Sequence, residues 1–504
     1  METLANLGLG FSVALQPTNL LFCFIGALVG TFIGVLPGLG PIAAIALLLP
    51  LTFKMAPAAA IIMLAGIYYG AMYGGSTTSI LVNIPGEAAS VVTCLDGYQM
   101  ARQGRAGPAL GIAALGSFIA GTVGLMGLMF FAPLLGAFAL GFGPPEYFAI
   151  TFLGLTLVSY LSRGSLLKAL LMAVLGLLLG TIGTDPISGQ ERFNYGSLTL
   201  SDGLGLVPIA MGLFGISEVL DNLGKSMRGE IYSREIKGLL PNRQDWKESL
   251  WPILRGSVVG FFIGIIPGPS GAMSSFASYA MEKRLSRNPE KFGKGAIEGV
   301  AGPESANNSS TAGAFIPLLS LGVPSNIVMA LFIGALLIHG VQPGPLFMKN
   351  YPELFWGVVA SMYMGNLMLL VLNLPLIGIW VRLLRVPYAI LYPLILLFCL
   401  IGVYSINNNV AEIFVMVIAG VIGLVLRRRG FDGAPFLLAL VLGPMMESSL
   451  RQALLISRGS FAIFFTRPVA AVLMLLAMVF LATAMVPILK AKRQKFAAEV
   501  GQDE

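Results

Sequence analysis

Two clusters of small uncharged polar residues stand in strongly apolar surroundings. One is Ser76, Thr77, Thr78 and Ser79; the other is Asn307, Asn308, Ser309, Ser310 and Thr311. The first opens GGSTTSILVNIPGEAAS (Gly74–Ser90) and the second lies in GPESANNSSTAGAFIPLLSLGVPSN (Gly302–Asn326). Hydroxyls and amides are costly against lipid, so they must pair with other helices or line a site. Each segment then runs through an apolar stretch to a second break: Asn83 and Pro85-Gly86 in one, Pro324-Ser325-Asn326 in the other. Upstream lies a matching pair of breaks. GTFIGVLPGLGP (Gly30–Pro41) and GFFIGIIPGPSG (Gly260–Gly271) agree at six of their first nine positions, 230 residues apart. They place Pro37-Gly38 and Pro267-Gly268, followed by Gly40 and Ser270, where an apolar helix would otherwise continue.

Proline removes a helix hydrogen bond, and glycine adds backbone freedom. Irregular backbone at membrane depth is tolerated only when it is buried in protein or lines a wet cavity. These breaks therefore predict discontinuous helices whose freed N–H and C=O groups bind ions or anionic groups. The competing reading is packing, since Ser, Thr, Asn and Gly also let membrane helices approach closely. Gly107, Gly111, Gly116, Gly121, Gly124 and Gly127 are spaced for close helix contact, though glycine is common in membrane helices. Charged candidates are few. Glu87, Asp96, Glu298 and Glu304 flank the broken segments and, as ionisable residues, are functional candidates. Placed at membrane edges, they read as ordinary edge residues. Glu146 and Glu412 open apolar runs as helix-start acids; Lys54, Arg102 and Arg105 pair with acids or mark a cytoplasmic face.

The elements that must position these residues are membrane helices. The chain has 504 residues, 56% apolar and 11% charged, against roughly a quarter charged in a soluble protein. Its mean hydropathy is +0.84. Apolar stretches recur from Asn19 to Leu489 with the charges in the gaps, the pattern of an all-α, polytopic helical membrane protein. The net charge of +7 sits in short loops, where it is a topology signal and no footprint for nucleic acid. Three scattered cysteines and a single histidine, His339, exclude a disulfide framework, a His metal cluster and a His-based triad. The opening METLANLGLGFSVALQP lacks the positive n-region of a cleaved signal peptide, so insertion is expected through the first membrane helix. The only Gly-Lys-Ser, at 224–226, lacks the upstream glycine of a phosphate loop, its place being taken by Val219.

Charge placement divides the chain. Gly224–Glu248 holds Lys225, Arg228, Arg234, Lys237, Arg243 and Lys247 and belongs in the cytoplasm. The helix pair 146–162 and 165–183 is basic at its joint (Arg163, Lys168). The matching pair 387–404 and 410–426 has the uncharged joint SINNN and basic outer ends (Arg382, Arg385, Arg427–Arg429). The second half is thus expected upside down relative to the first, the inverted-topology repeat of secondary transporters. LVPIAMGLFGISEVL (Leu206–Leu220) finds an echo in FLLALVLGPMMESSL (Phe436–Leu450). The expected organisation is membrane repeat 1 (1–223), a cytoplasmic connector (224–249), membrane repeat 2 (250–490) and a cytoplasmic tail (491–504). Arg451 and Arg458 go against it, since they fall near the outer face.

GVLPGLGP with YGGSTTSILVNIPGEAAS, then GIIPGPSGA with GPESANNSSTAGAFIPLLSLGVPSN, resembles the large membrane subunit of the tripartite tricarboxylate transporters, the TctA family. The likeness runs from about residue 18 to residue 490. It implies about twelve helices in the bacterial cytoplasmic (inner) membrane, with re-entrant hairpins. It implies two partners, a small four-helix membrane subunit (TctB-like) and a periplasmic solute-binding protein (TctC-like) that hands over a small carboxylate. It implies uptake driven by a sodium or proton gradient, with no cofactor, no enzyme activity and no metal beyond a sodium site. Carboxylates need N–H, hydroxyl and amide donors, and sodium needs oxygen ligands; the broken regions supply both. Ser76, Thr77, Thr78 and Asn83 with Asn307, Asn308, Ser309, Ser310 and Thr311 are then expected to line one central site, shaped by the Pro-Gly breaks. A passive pore and a membrane-embedded enzyme are the alternatives.

Overall fold

Helix is the open-chain structure that satisfies its own backbone in lipid, and helix is what this chain adopts. The computed structural model describes residues 2–36, 40–162, 165–185, 187–222, 238–383 and 388–485. The expectations placed on Pro37, Gly38, Arg163, Arg385, the connector residues up to 237 and the 491–504 tail lie outside the described residues. The only strands among those described are β1 (Gly183–Thr184) and β2 (Glu191–Arg192), a short antiparallel hairpin.

The first half comprises α1 (Glu2–Ala14), α2 (Pro17–Val35), α3 (Pro41–Leu48), α4 (Pro57–Val82), α5 (Val91–Arg102), α6 (Ala106–Ala139), α7 (Pro144–Leu161), α8 (Leu166–Leu179) and α9 (Leu206–Ala210). The last continues through a π-helical turn, Met211–Ile216, to Ser217–Asn222. The second half comprises α10 (Arg243–Ile265), α11 (Ser270–Leu285), α12 (Glu298–Leu321), α13 (Ile327–Ile338), α14 (Pro352–Asn373), α15 (Tyr388–Asn407), α16 (Val410–Arg428), α17 (Gly433–Ile456) and α18 (Pro468–Met485). Among the described residues 7 helices are long and apolar enough to cross a membrane. Exposed Phe130, Leu134, Leu167, Leu171, Phe414 and Ile418 give α6, α8 and α16 a face suited to lipid.

The core of each half is a parallel helix pair held at backbone contact. On α2, Gly26, Gly30 and Gly34 recur every fourth residue and so share one face. A Cβ on each would collide with the carbonyls of Met63, Ile67 and Ala71 on α4. On α10, Gly256, Gly260 and Gly264 meet the carbonyls of Gly302, Ala306 and Ser310 on α12 in the same way. Residue numbers rise together along both pairs, so the partners are parallel. The chain between them must therefore cross back, and α3 and α11 make that return after the Pro-Gly breaks.

The two pairs run in opposite directions. Ser76 of α4 reaches Glu304 of α12, and Tyr68 lies 6.4 Å, ring to ring, from Phe315. Numbers fall on one helix as they rise on the other. Peripheral helices cross between halves: Gly176 of α8 abuts the Phe436 carbonyl of α17, while Gly212 abuts the Met416 carbonyl of α16. The α6 glycines serve packing: Gly124 faces Ser309 and Ala312 of α12, and Gly127 faces Phe261.

Charges at the membrane edges are paired. Arg105 pairs with Asp245, and Arg255 with Glu282. Glu146 caps α7 and holds Arg467 at 2.8 Å. Arg451 lies 2.8 Å from Asp185 and 3.0 Å from Glu447, and Arg192 joins both acids. Two acids thus pair with two arginines. Hydrogen bonds from Ser188, the Ile187 N–H, Arg192 and Arg451 hold the Asp185 carboxyl far below its ordinary range.

Asp96 is no edge bystander. Its carboxylate accepts the N–H groups of Gly293 (3.0 Å), Gly295 (2.7 Å) and Ala296 (2.8 Å) and the Tyr279 hydroxyl (2.9 Å), fastening α5 to the loop before α12. Asp96→Ala strands three backbone donors and is expected to cost about 3 kcal/mol. Thermal unfolding and tryptic cleavage at Lys291 or Lys294 check this; unchanged values would make the staple dispensable.

Candidate functional site

After α4 and after α12 the chain turns back into the protein. Both helices end on a left-handed residue, Asn83 (φ 59°) and Gly322 (φ 72°). Beyond it, Gly86 packs on Gly75 and on the Gly34 carbonyl, and Ser325 donates to the Ala314 carbonyl at 3.2 Å. Gly75 and Gly86 are offset by 239 from Ala314 and Ser325, as Asn83 is from Gly322, so these are one construction built twice. A Cβ at Gly86 has no room, whereas Ser325 fits.

The same offset pairs Glu87 with Asn326 and Tyr68 with Asn307. The Asn307 amide donates to Glu87 Oε1 at 3.3 Å, and the Asn326 amide donates to the Tyr68 hydroxyl at 3.3 Å. This is one contact between the halves, seen twice around a local two-fold. The chemistry differs across it: the first half contributes a carboxylate where the second contributes an amide.

Three helix N-termini meet here. Gly268 N–H donates to the Ser325 carbonyl at 2.8 Å, joining the two breaks of the second half. Asn326 caps α13 through the Met329 N–H (3.0 Å) and reaches Ser270, the first residue of α11, at 3.3 Å. A Cβ on Gly271 would lie 3.3 Å from Ala89, just before α5, and 3.3 Å from Asn307 Oδ1. Helix N-termini carry partial positive charge and free N–H groups, so their convergence favours an anion.

Two carboxylates lie beside it. Glu87 is 9% exposed and accepts the Ala89 N–H as well as Asn307. Glu304 is 1% exposed and accepts the hydroxyls of Ser76 (2.5 Å) and Thr93. Sequence reading left both at membrane edges; the re-entrant turn and the antiparallel packing bury them instead. The readable signal was the Glu directly after Pro85-Gly86. Tyr68, Ser90 and Thr93 gave no signal of their own.

The predicted residues divide. Ser76, Gly86, Gly268, Ser270, Asn307, Ser325 and Asn326 come together around this centre, with Pro85, Pro267 and Pro324 in the turns that lead to it. Thr77 lines a cavity of about 10 Å³, room for one water, with Tyr73, Ser76, Ser117 and Asn373. Asn308 donates to Ser117 at 2.7 Å. Other hydroxyls bond backbone: Thr78 to Val35 (2.6 Å), Ser309 to Ser257 (2.6 Å), Ser310 to Asn307 (2.7 Å) and Thr311 to Asn308 (2.6 Å). Asn83 is exposed, and Gly40 is the N-cap of α3 with open space around it. The polar clusters are not register equivalents: on the 239 offset, Ser76–Ser79 matches 315–318, two turns beyond Asn307–Thr311. The antiparallel packing of α4 and α12 instead brings Ser76 to Glu304. A second cavity, about 660 Å³, is lined by apolar side chains such as Phe22, Ile25, Phe32, Leu47, Met211 and Cys399, and is unsuited to a carboxylate.

The chain is 50% identical over 499 residues, 99% of each chain, to an uncharacterized 52.8 kDa protein of the TAR-I ttuC′ 3′ region of Agrobacterium vitis. It is 50% identical over 240 residues to an uncharacterized protein of the TAR-II ttuC′ 3′ region of the same organism, matching 48% of this chain and 99% of that one. No solved structure matches. The model of the tripartite tricarboxylate transporter TctA family matches residues 20–438. With four broken segments in two antiparallel halves, and that match across most of its length, the chain is a multi-pass membrane protein of the tripartite tricarboxylate transporter TctA family.

Proposed function

We propose that the protein is the large permease subunit of a binding-protein-dependent secondary transporter importing a tricarboxylate or related small carboxylate across the bacterial cytoplasmic membrane. A periplasmic solute-binding protein delivers the substrate, a small four-helix membrane subunit completes the complex, and a sodium or proton gradient drives uptake without a cofactor. The halves, 1–223 and 250–490, act as inverted repeats about the central site. The observation that carries this reading is the meeting of the N-termini of α5, α11 and α13 around Ser270 and Asn326. Such half-helix ends are the usual membrane solution for an anionic substrate group. In the first half Glu87 already fills the corresponding position, so the substrate carboxylate belongs on the second-half side, at Ser270 and Asn326.

The test is uptake of radiolabelled carboxylates into proteoliposomes holding this chain, with and without the two partners. Accumulation is expected only with the binding protein and an imposed cation gradient, and counterflow is expected when labelled and unlabelled substrate exchange. Large single-channel currents, or flux indifferent to any gradient, would replace the transporter by a passive pore.

A further inference from the structure

The four oxygens of Glu87 and Glu304 each accept one neutral donor: the Ala89 N–H and the Asn307 amide on Glu87, and the Ser76 and Thr93 hydroxyls on Glu304. Among the described residues no Lys, Arg or His pairs with either; the arginines with ion pairs serve other acids. The two acids share one compartment. Gly75 abuts Glu87 where the next residue, Ser76, holds Glu304. The other titratable side chains facing them are Tyr68 and Tyr73 of α4 and Cys94 of α5, phenols and a thiol whose ordinary values lie above neutral pH. Two buried carboxylates without a cation cannot both be charged at acceptable cost.

Two further observations point to something bound. Asn307 Oδ1 is buried in this cluster, on a residue 0% exposed, and has no hydrogen-bond partner. Ser76, which holds Glu304, also lines the one-water cavity, where the buried Asn373 Oδ1 is likewise without a partner. Unpaired oxygens beside carboxylates suit a small cation and repel an anion.

We propose that Glu87 and Glu304 form the binding site of the coupling cation, a single proton or sodium ion taken up with each substrate. This rests on the transport reading above. The cation lies beside the converging helix N-termini that receive the substrate, so each charge lowers the cost of burying the other. Coupling then follows from electrostatics: neither half-loaded site is stable at membrane depth.

Two measurements on the purified full-length chain test it. One is melting temperature titrated with sodium chloride against choline chloride. The other is the infrared band of protonated carboxyl groups followed through a pH titration. Sodium-specific stabilisation identifies sodium, and a titrating carboxyl band identifies the proton. Whichever appears is expected to be lost in Glu304→Gln and Glu87→Gln, and weakened about tenfold in Ser76→Ala, which keeps both carboxylates and guards against a misfolded Gln variant. In proteoliposomes the Gln variants are expected to lose gradient-driven accumulation. If the wild type gives neither signal, or the variants keep it, the assignment falls. Wild-type accumulation retained in both Gln variants removes this site alone; absence of any wild-type accumulation removes the transport reading itself.

Discussion

Leucine in place of Gly260 is expected to leave no folded protein. A Cβ at Gly260 would sit inside the Ala306 backbone, and Gly256 and Gly264 hold α10 and α12 at that separation one turn to either side. The helices cannot part locally, because three contacts in register share one face. Even a single extra carbon in a tight core costs about 1–3 kcal/mol. Leucine adds four, about 4–12 kcal/mol on that measure, which is comparable to the whole ~5–15 kcal/mol by which a typical protein is stable. Gly30→Leu is expected to behave alike, since its Cβ would meet Ile67 and Gly66. Gly378→Leu is the control, as nothing lies near its Cβ. Size-exclusion of fluorescent fusions from solubilised membranes reads the outcome. A wild-type monodisperse peak for Gly260→Leu would mean that these glycines do not set the helix spacing.

The second large effect is functional. Asn326→Asp is expected to abolish carboxylate uptake while the protein stays folded. Asp caps helices as well as Asn does, so the start of α13 is preserved. What changes is charge: the second half would then carry its own carboxylate where the first already has Glu87. A substrate carboxylate at Ser270 would face a like charge at the meeting of the helix N-termini. Like-charge contact in a desolvated site costs several kcal/mol, which corresponds to about a hundredfold or greater loss of uptake. Asn326→Ser, neutral and still a good cap, is expected to lose much less. Initial uptake rates in proteoliposomes decide it. Near-wild-type transport by Asn326→Asp would exclude the second-half break as the anion site.

Much of the architecture was legible because membrane insertion imposes local rules. The helical class followed from apolar run length. The opposed halves followed from the shift of basic residues from the Lys168 joint to Arg427–Arg429. The breaks followed from Pro-Gly in apolar sequence. The glycine ladder was also within reach, since Gly26-Gly30-Gly34 and Gly256-Gly260-Gly264 repeat every fourth residue.

The composition of the centre was not legible in this way. Whether a hydroxyl bonds its own helix or reaches across depends on which face it occupies. Thr311 turns to Asn308 on its own helix, while Ser309 reaches Ser257 on α10 and Ser76 crosses to Glu304. Glu87 and Glu304 looked peripheral because sequence distance from an apolar run was read as depth. A chain that turns back inward after Asn83 breaks that equation. By itself the sequence determined the helices, their breaks and the inversion, since each depends only on how a short segment is solvated. Only the tertiary structure decided which polar groups meet, because Glu87 with Asn307 and Asn326 with Tyr68 are contacts between halves, fixed by antiparallel packing over more than 200 residues of chain.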